Sequence, residues 1–321
     1  MKRMLKLVFG IAAILIFIGI AIFCVVMTRY NWDFKKLSTA IYETNTHSIS
    51  DTFQNISIDT NTADITFFPS PDNSVSVICY EEKNVVHTVT VEDDTLIIKC
   101  NDARKWYEHI GINFGTPTIT VYLPESNYAS LTIHNNTGDI EVPEAFSFLG
   151  VDISGNTGDV EWEASVSGTM KIHLNTGDIE VEKINVGALD LAVTTGDISV
   201  SSVNSNGDIS VKVTTGKTFL EDVTCKNLTS TGGTGDIRLQ NVVASDAFSI
   251  ERSTGDVKFD GCDAASISVT TDTGDVTGSL LSDKIFLTET DTGRVDVPRL
   301  VNGGRCEITT DTGNIIIEIA K

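Results

Sequence analysis

The sequence predicts an all-β protein: a β-solenoid, or single-stacked β-helix, of about ten coils of 19–20 residues, preceded by one N-terminal transmembrane helix. Three observations lead to this prediction. A Thr-Gly dipeptide recurs ten times at nearly constant spacing, apolar residues alternate at fixed positions around each copy, and a long apolar stretch follows the N-terminus. The constant period favours stacked identical coils over a sandwich, a barrel or a propeller, whose blades need about 40 or more residues each.

Residues 7–27 form the predicted membrane-spanning segment. They carry no charged side chain, and at about 1.5 Å per residue they can cross a hydrocarbon core of about 30 Å. A cleaved signal peptide is the alternative, but its apolar region is normally about 7–15 residues long and no A-x-A-like cleavage site follows here. Lipidation of Cys24 is disfavoured because Phe23 stands where a small residue is needed. The sequence therefore predicts an uncleaved signal-anchor.

Charge is distributed unevenly about this segment. Lys2, Arg3 and Lys6 precede it, whereas every acidic residue lies from Asp33 onward. The positive-inside rule predicts a single-pass protein of the cell membrane, with a cytoplasmic N-terminus and an extracytoplasmic remainder. The formal net charge of −21 excludes nucleic acid as a partner, because its phosphates require a basic surface.

Four segments are predicted along the chain. Residues 1–29 are the cytoplasmic tip and signal-anchor, 30–48 a juxtamembrane stalk, 49–130 an irregular β-rich cap of the solenoid, and 131–321 the regular repeat. Within the cap, the sequence NTADI at residues 61–65 is a divergent copy of the Thr-Gly-Asp-Ile turn. The insertion at residues 101–117 either covers the open end of the solenoid, which we favour, or binds a partner through its aromatic residues, Trp106, Tyr107, His109 and Phe114.

The repeat is defined by ten glycines separated by 19 or 20 residues. They are Gly138, Gly158, Gly177, Gly196, Gly216, Gly235, Gly255, Gly274, Gly293 and Gly313. Side chains two and four residues after each glycine are mostly apolar, which is the period of a strand with alternate side chains facing a core. One unit is too small to bury these side chains alone, so the units are expected to stack.

The Thr-Gly-Asp sequence has a structural explanation as a corner. Glycine supplies a positive φ at low cost, and aspartate can accept hydrogen bonds from the backbone of the turn. This explanation is favoured over a ladder of bound cations, because Lys217 and Arg294 interrupt the aspartate column. If a cation site exists, the last coils are the best candidates, through Asp272, Asp275, Asp291 and Asp311. No cofactor is expected.

The C-terminal strand and the cysteines bear on association. The final apolar run, residues 315–319, is followed by no capping segment, so we expect an open strand edge that pairs with a second copy or with another protein. Outside the membrane segment the chain has five cysteines (Cys79, Cys100, Cys225, Cys262 and Cys306). They cannot all form internal disulfides, because five is an odd number.

Three sequence segments resemble a known family. The runs ISIDTNTADITFFPS (residues 56–70), TITVYLPES (118–126) and LTIHNNTGDIEV (131–142), followed by the Thr-Gly-Asp repeats, are similar to the bacterial putative-adhesin β-strand-repeat family, the LiaG-like proteins. The resemblance covers nearly the whole region outside the membrane. It implies a β-solenoid in the bacterial envelope, with some relatives associated with envelope-stress systems. It supplies no catalytic residues, and the biochemical role of the family is itself undefined.

The residues favour a binding protein over an enzyme. A carbohydrate-active β-helix needs carboxylates about 5–10 Å apart on a groove wall, whereas the aspartates here recur as turn residues, and His134 and His173 lie in separate coils with no recognisable nucleophile. The leading hypothesis is a non-catalytic, membrane-anchored extracytoplasmic adhesin, or a scaffold that binds an envelope protein or polymer. The alternative is an envelope-stress sensor or regulator that collects cations or cationic peptides.

Overall fold

A computed structural model describes residues 2–34, 40–106 and 115–320 of the chain. One helix, α1 (Lys2–Arg29), precedes a single sheet of 25 strands. The strands are β1 (Tyr42–Ile49), β2 (Asn55–Thr62), β3 (Asp64–Pro69), β4 (Val75–Glu82), β5 (Val85–Glu92), β6 (Thr95–Asp102), β7 (Thr118–Leu123), β8 (Asn127–Thr137), β9 (Ile140–Val142), β10 (Ser147–Thr157), β11 (Val160–Trp162), β12 (Ser165–Thr176), β13 (Ile179–Glu182), β14 (Asn185–Thr195), β15 (Ile198–Ser201), β16 (Asn204–Ser205), β17 (Ile209–Thr215), β18 (Thr218–Thr234), β19 (Ile237–Thr254), β20 (Val257–Thr273), β21 (Val276–Leu280), β22 (Lys284–Thr292), β23 (Val295–Asp296), β24 (Gly304–Thr312) and β25 (Ile315–Ile319).

Each coil contributes a long strand that ends at the threonine of a Thr-Gly dipeptide and a shorter strand that begins after the following residue. In β18, β19 and β20 the short strand of one coil continues into the long strand of the next. Neighbouring coils pair in parallel and in register, so that Thr137, Thr157, Thr176 and Thr195 lie side by side. The predicted β-solenoid of about ten coils is thereby confirmed.

The apolar columns predicted from the sequence form one continuous core. Nine of the ten side chains two residues after the repeat glycines are at most 2% exposed: Ile140, Val160, Ile179, Ile198, Thr218, Ile237, Val257, Val276 and Ile315. Full burial of each aliphatic member stabilises the fold by about 1.5–3 kcal/mol. The tenth, Val295, is 42% exposed, because its coil lies at the free end of the stack.

Antiparallel strands close the N-terminal end. β4 pairs with β7, β5 with β6, and β1 with β4. β6 and β7 run parallel to β2 and β3, which pair in turn with β8 and β9. The cap therefore covers the edges of the first parallel coils, as soluble sheets require. In this cap β1 includes residues 42–48 of the predicted stalk, and residues 35–39 lie outside the described residues.

The divergent turn at residues 61–65 is a true member of the corner column. The Ala63 amide donates to the Thr137 carbonyl at 3.0 Å, and the Asp139 amide donates to Asp64 Oδ1 at 3.1 Å. In the neighbouring insertion, Trp106 is 77% exposed. The other aromatic candidates there, Tyr107, His109 and Phe114, lie outside the described residues.

The order of the coils at the C-terminal end corrects one expectation. The last strand, β25, is not an open edge, because it pairs with β21 on one side and with β23 on the other. β24 likewise lies between β20 and β22. The last coil in the sequence is thus inserted between its two predecessors, and the coil of β22 and β23 is outermost.

The composition of the two coils explains this order. The inserted coil turns apolar side chains inward, including Ile308, Ile315 and Ile317, each at most 3% exposed. The outermost coil turns Thr288 and Thr290 toward the same columns and is followed by Pro298, which has no backbone N–H to donate to a further strand. The more apolar coil gains most from being covered on both sides.

Self-association at the C-terminal end stays a prediction and now concerns β22. This strand pairs on one side with β24, and its outward side chain Leu287 is 48% exposed. We expect Leu287→Lys to lower the dimer fraction of the full chain in detergent, measured by sedimentation velocity, because charge on an edge strand blocks pairing. The matched change Leu149→Lys, at an exposed leucine in a covered coil, should have no effect. A strictly monomeric protein at high concentration would contradict the prediction.

Helix α1 is long and apolar enough to cross a membrane between Val8 and Arg29. Its described apolar side chains are largely exposed, for example Leu15 at 63% and Phe17 at 72%. Apolar side chains on all sides of a helix are typical of a membrane span.

Candidate functional site

Backbone contact between coils explains the repeat glycines. Eight of the ten have φ between +128° and +158°, as the corner prediction requires. Gly293 and Gly313 do not share this φ, so the need for a positive φ does not explain all ten repeat glycines. A Cβ at Gly293 would lie 1.9 Å from the Gly313 carbonyl oxygen, and one at Gly313 would lie 2.0 Å from that of Gly274. Close contact with the backbone of the neighbouring coil is therefore the feature that all ten corners share, and the contacted residue is a glycine for nine of them and Ala63 for Gly138.

The corner aspartates bind the backbone of the adjacent coil. The amide of Asp178 donates to Asp159 Oδ1 at 2.7 Å, and that of Asp197 donates to Asp178 Oδ1 at 2.7 Å. Lys217 stands in place of the aspartate at the next corner, and its backbone amide still donates a hydrogen bond to Asp197 Oδ1. The corner aspartates thus accept hydrogen bonds from amides of the next coil rather than from their own turn.

The four cation candidates fall into two groups. Asp275 accepts hydrogen bonds from the amide and the side chain of Asn314, at 2.7 and 3.2 Å, so it acts as a corner residue. Asp272, Asp311 and Asp291 are exposed and follow one another in neighbouring coils, in that spatial order. Among the described residues they do not form a group of three with ligand atoms within 4.8 Å of one another. A cation there stays a prediction.

A set of glutamates lies on the short strands that follow the corner. β9, β11 and β13 pair in register, which places Glu141, Glu161 and Glu180 side by side. Glu182 lies two residues further along β13 and therefore on the same side of this strand as Glu180, and Glu163 directly follows β11. We call these five residues the acidic face. They line a depression of about 320 Å³ together with Pro143 and the edge of Trp162.

The acidic face is poorly neutralised. Within the described ranges, Lys183 is the only cation that forms ion pairs with these glutamates, with Nζ 3.1 Å from Glu182 and 3.5 Å from Glu163. Desolvation, followed by a hydrogen bond with Glu182 and repulsion from neighbouring glutamates, raises the pKa of Glu180. Lys183 lowers the pKa of Glu182. The site therefore concentrates negative charge that its own residues do not balance.

The side chains at the position of Glu141, Glu161 and Glu180 change from negative to positive charge along the solenoid. After Glu180 it continues through Ser199 and Phe219 to Arg238 and Lys258. The Arg238 guanidinium lies 5.9 Å from the centre of the Phe219 ring, a cation–π distance. The acidic face is thus confined to the coils nearest the N-terminal cap.

The two histidines lie on the other side of the corner and are closer than their sequence separation suggested. Both line one depression of about 320 Å³. His134 Nδ1 is 2.5 Å from Ser154 Oγ, and His173 Nε2 is 3.3 Å from Asp190 Oδ2. An asparagine ladder borders them, with Asn156 Nδ2 donating to Asn136 Oδ1 at 2.8 Å. These pairs were missed because residues 17 to 20 apart become neighbours only through the stacking of the coils.

Parallel coils, glycine corners and in-register columns place the chain in the class of repeat β-solenoids. The profile of one family, described as Toastrack DUF4097, matches residues 53–206 and again residues 199–321. The chain belongs to this family, which is a putative-adhesin β-repeat family of unknown function.

Solved structures with a similar fold are distant in sequence. A "putative adhesin" from Bacteroides fragilis is 15% identical, with a TM-score of 0.44 over 87% of this chain and 97% of its own. A "putative adhesin" from Parabacteroides distasonis is 12% identical, with a TM-score of 0.49 over 76% and 98%. A "putative lipid binding protein" from the same organism is 16% identical, with a TM-score of 0.45 over 74% and 96%. No curated protein matches the sequence.

Proposed function

We propose that this protein is a non-catalytic, membrane-anchored binding protein of the cell envelope, acting as an adhesin or scaffold outside the membrane. The exposed apolar surface of α1 supports anchoring, and the basic residues before it support a cytoplasmic N-terminus. The observation that carries the binding role is the acidic face, because Glu141, Glu161 and Glu180 are held in register by strands that the core fixes in place.

The topology has a direct test. In intact protoplasts, added protease should degrade the solenoid region, because α1 would leave it on the outer side. The N-terminal residues should stay protected until detergent opens the membrane. Complete protection of the solenoid in sealed protoplasts would contradict the proposed orientation. Release of the solenoid without α1 would instead show a cleaved signal peptide.

A cationic partner fits the acidic face best. Adjacent coils are about 4.8 Å apart, and at that distance two carboxylates repel by about 0.9 kcal/mol in water. A lysine- or arginine-rich segment would relieve this repulsion and gain attraction from several carboxylates together. Such a segment can belong to an envelope protein or to a cationic antimicrobial peptide.

Neutralising the column should weaken such binding. The triple variant Glu141→Gln, Glu161→Gln and Glu180→Gln should reduce the affinity of the full chain for a lysine- and arginine-rich peptide about tenfold, at about 0.5 kcal/mol per ion pair lost. Isothermal titration at low and at 0.5 M salt measures this. Binding should also weaken as the pH falls, and Glu180 should lose its charge at a higher pH than an ordinary glutamate, since desolvation raises its pKa.

The control variant changes the same number of exposed acids elsewhere: Asp152→Asn, Asp246→Asn and Glu251→Gln. It should bind as the unchanged protein does. Equal losses in both variants would show a general charge effect rather than a site. Affinity that does not change between low and 0.5 M salt would contradict the electrostatic proposal.

The same face supports the second candidate function, an envelope-stress sensor or regulator that collects cationic peptides. The two candidates differ in the cell. A sensor predicts that the triple glutamine variant alters the response to cationic antimicrobial peptides, whereas a scaffold predicts an unchanged response and an altered set of bound envelope components.

A further inference from the structure

We propose that Cys79, Glu81 and His87 form a binding site for a thiophilic divalent metal ion, with Zn²⁺ as the best match, inside the N-terminal cap. Their ligand atoms all lie within 4.8 Å of one another, and all three residues are buried. In the described part of the chain this is the only group of three such residues so arranged. It goes beyond the proposed function, because the acidic face does not involve it.

The cap brings the three side chains together from two strands. Val77, Cys79 and Glu81 alternate along β4 and point into the core, where they are at most 1% exposed. After the turn at residues 83–84, β5 returns His87 to the same interior, 5% exposed. A thiol and a carboxylate at consecutive inward positions of β4, with an imidazole facing them from β5, are unusual in a core that is otherwise filled mostly with apolar side chains.

Further hydrogen bonds orient the imidazole and the carboxylate. Thr60 Oγ1 lies 2.8 Å from His87 Nε2. Glu81 Oε1 accepts from Asn45 Nδ2 at 2.7 Å, and Glu81 Oε2 accepts from the His87 amide at 2.7 Å. If Nε2–H donates to Thr60, Nδ1 shares a proton with Glu81 Oε2, 2.6 Å away, and its lone pair becomes available to a metal once that proton has left. Outer partners that fix the tautomer in this way are typical of metal-binding histidines.

The donor set and the charge suit Zn²⁺. Zn²⁺ takes thiolate, imidazole and carboxylate ligands in tetrahedral geometry, and a catalytic or exchangeable site keeps a fourth position for water. Thiolate and carboxylate together carry two negative charges, so the loaded site would be neutral, which lowers the cost of burying it. His87 Nδ1 and Glu81 Oε2 are now 2.6 Å apart and would separate to about 3.3 Å around a tetrahedral ion.

A cavity adjoins the site on the side of His87. This cavity of about 110 Å³ reaches His87 and is lined by Tyr42, Thr62, Glu82 and Arg104. On binding, the metal displaces the thiol proton of Cys79 and the proton shared by Nδ1 and the carboxylate, and these protons leave to solvent.

The test is a Co²⁺ titration of the reduced full-length chain in detergent micelles, without a polyhistidine tag. We expect one Co²⁺ per chain with a thiolate charge-transfer band in the near ultraviolet, displaced by Zn²⁺. Zn²⁺ should also raise the Tm. His87→Gln should weaken Co²⁺ binding at least tenfold, and Cys79→Ser should remove the band.

Cys100→Ser is the matched control, because Cys100 is a half-buried cysteine of the same cap outside the three-residue group. It should leave the band and the Tm shift unchanged. Circular dichroism identifies the variants that fold. The proposal is overturned if the folded wild-type chain gives neither the band nor the Tm shift, which requires no variant at all. It is also overturned if folded Cys79→Ser keeps the band.

Discussion

Gly196→Ala should disrupt the solenoid. A Cβ at this position would lie 2.0 Å from the Gly177 carbonyl oxygen, and the backbone φ of +140° is one that side chains rarely adopt. The obstructing Gly177 carbonyl oxygen belongs to the backbone of a coil that is hydrogen-bonded to a neighbour on each side. It therefore cannot move aside without breaking hydrogen bonds between coils. We expect a loss of at least about 3 kcal/mol of unfolding free energy, seen as a large fall in the midpoint of urea unfolding.

The control for this change is Gly150→Ala. At Gly150 the nearest atom to a Cβ is the Thr169 carbonyl oxygen at 3.9 Å, and φ is not positive. The alanine there should be neutral or slightly stabilising, because it restricts the unfolded chain. Equal unfolding midpoints for the two variants would contradict the explanation of the repeat glycines by backbone contact.

Trp162→Ala should be the most damaging change within the core. Trp162 is 1% exposed and is flanked in register by Val142 and Val181 of the neighbouring coils. Its ring centre is 5.6 Å from that of Phe148, and its Nε1 donates to the Ala164 carbonyl at 2.5 Å. Because the coils on either side prevent collapse into the space, we expect a loss of about 3–5 kcal/mol.

Urea unfolding with two companion variants measures this effect. Trp162→Phe should recover part of the loss, since a smaller aromatic ring refills part of the volume. Leu149→Ala removes an exposed side chain of the same coil, 61% exposed, and should change stability by no more than about 0.5 kcal/mol. A Trp162→Ala protein as stable as Leu149→Ala would show that this column is not the core.

The sequence was sufficient for most of the fold, because its period encodes the register. A spacing of 19 or 20 residues between glycines places each Thr-Gly beside the next, and alternation around it assigns inward and outward side chains. The coil order at the end could not be obtained in this way. The spacing around Gly293 and Gly313 is the same whichever coil is outermost. The differences that favour the observed order, Pro298 and the inward Thr288 and Thr290, can be interpreted only once the pairing of the coils is known.

The candidate sites were predicted less well than the fold. The aspartates were noticed because they recur in the turn, yet they serve backbone amides. The glutamates of the acidic face were overlooked, although Glu141, Glu161 and Glu180 share one position after the repeat glycines. The group of Cys79, Glu81 and His87 carries a signal as well: polar residues at inward positions of a strand. It could not be assembled without knowing how the antiparallel cap folds onto β2.

Photo-crosslinking can show directly whether the acidic face binds a cationic partner. A lysine- and arginine-rich peptide with a photoreactive group is bound to the full chain, irradiated, and its attachment sites are mapped by mass spectrometry. We expect attachment on the coils between Asp139 and Lys183, suppressed by 0.5 M salt and by the triple glutamine variant. Attachment spread evenly along the solenoid, or confined to the side of His134 and His173, would contradict it.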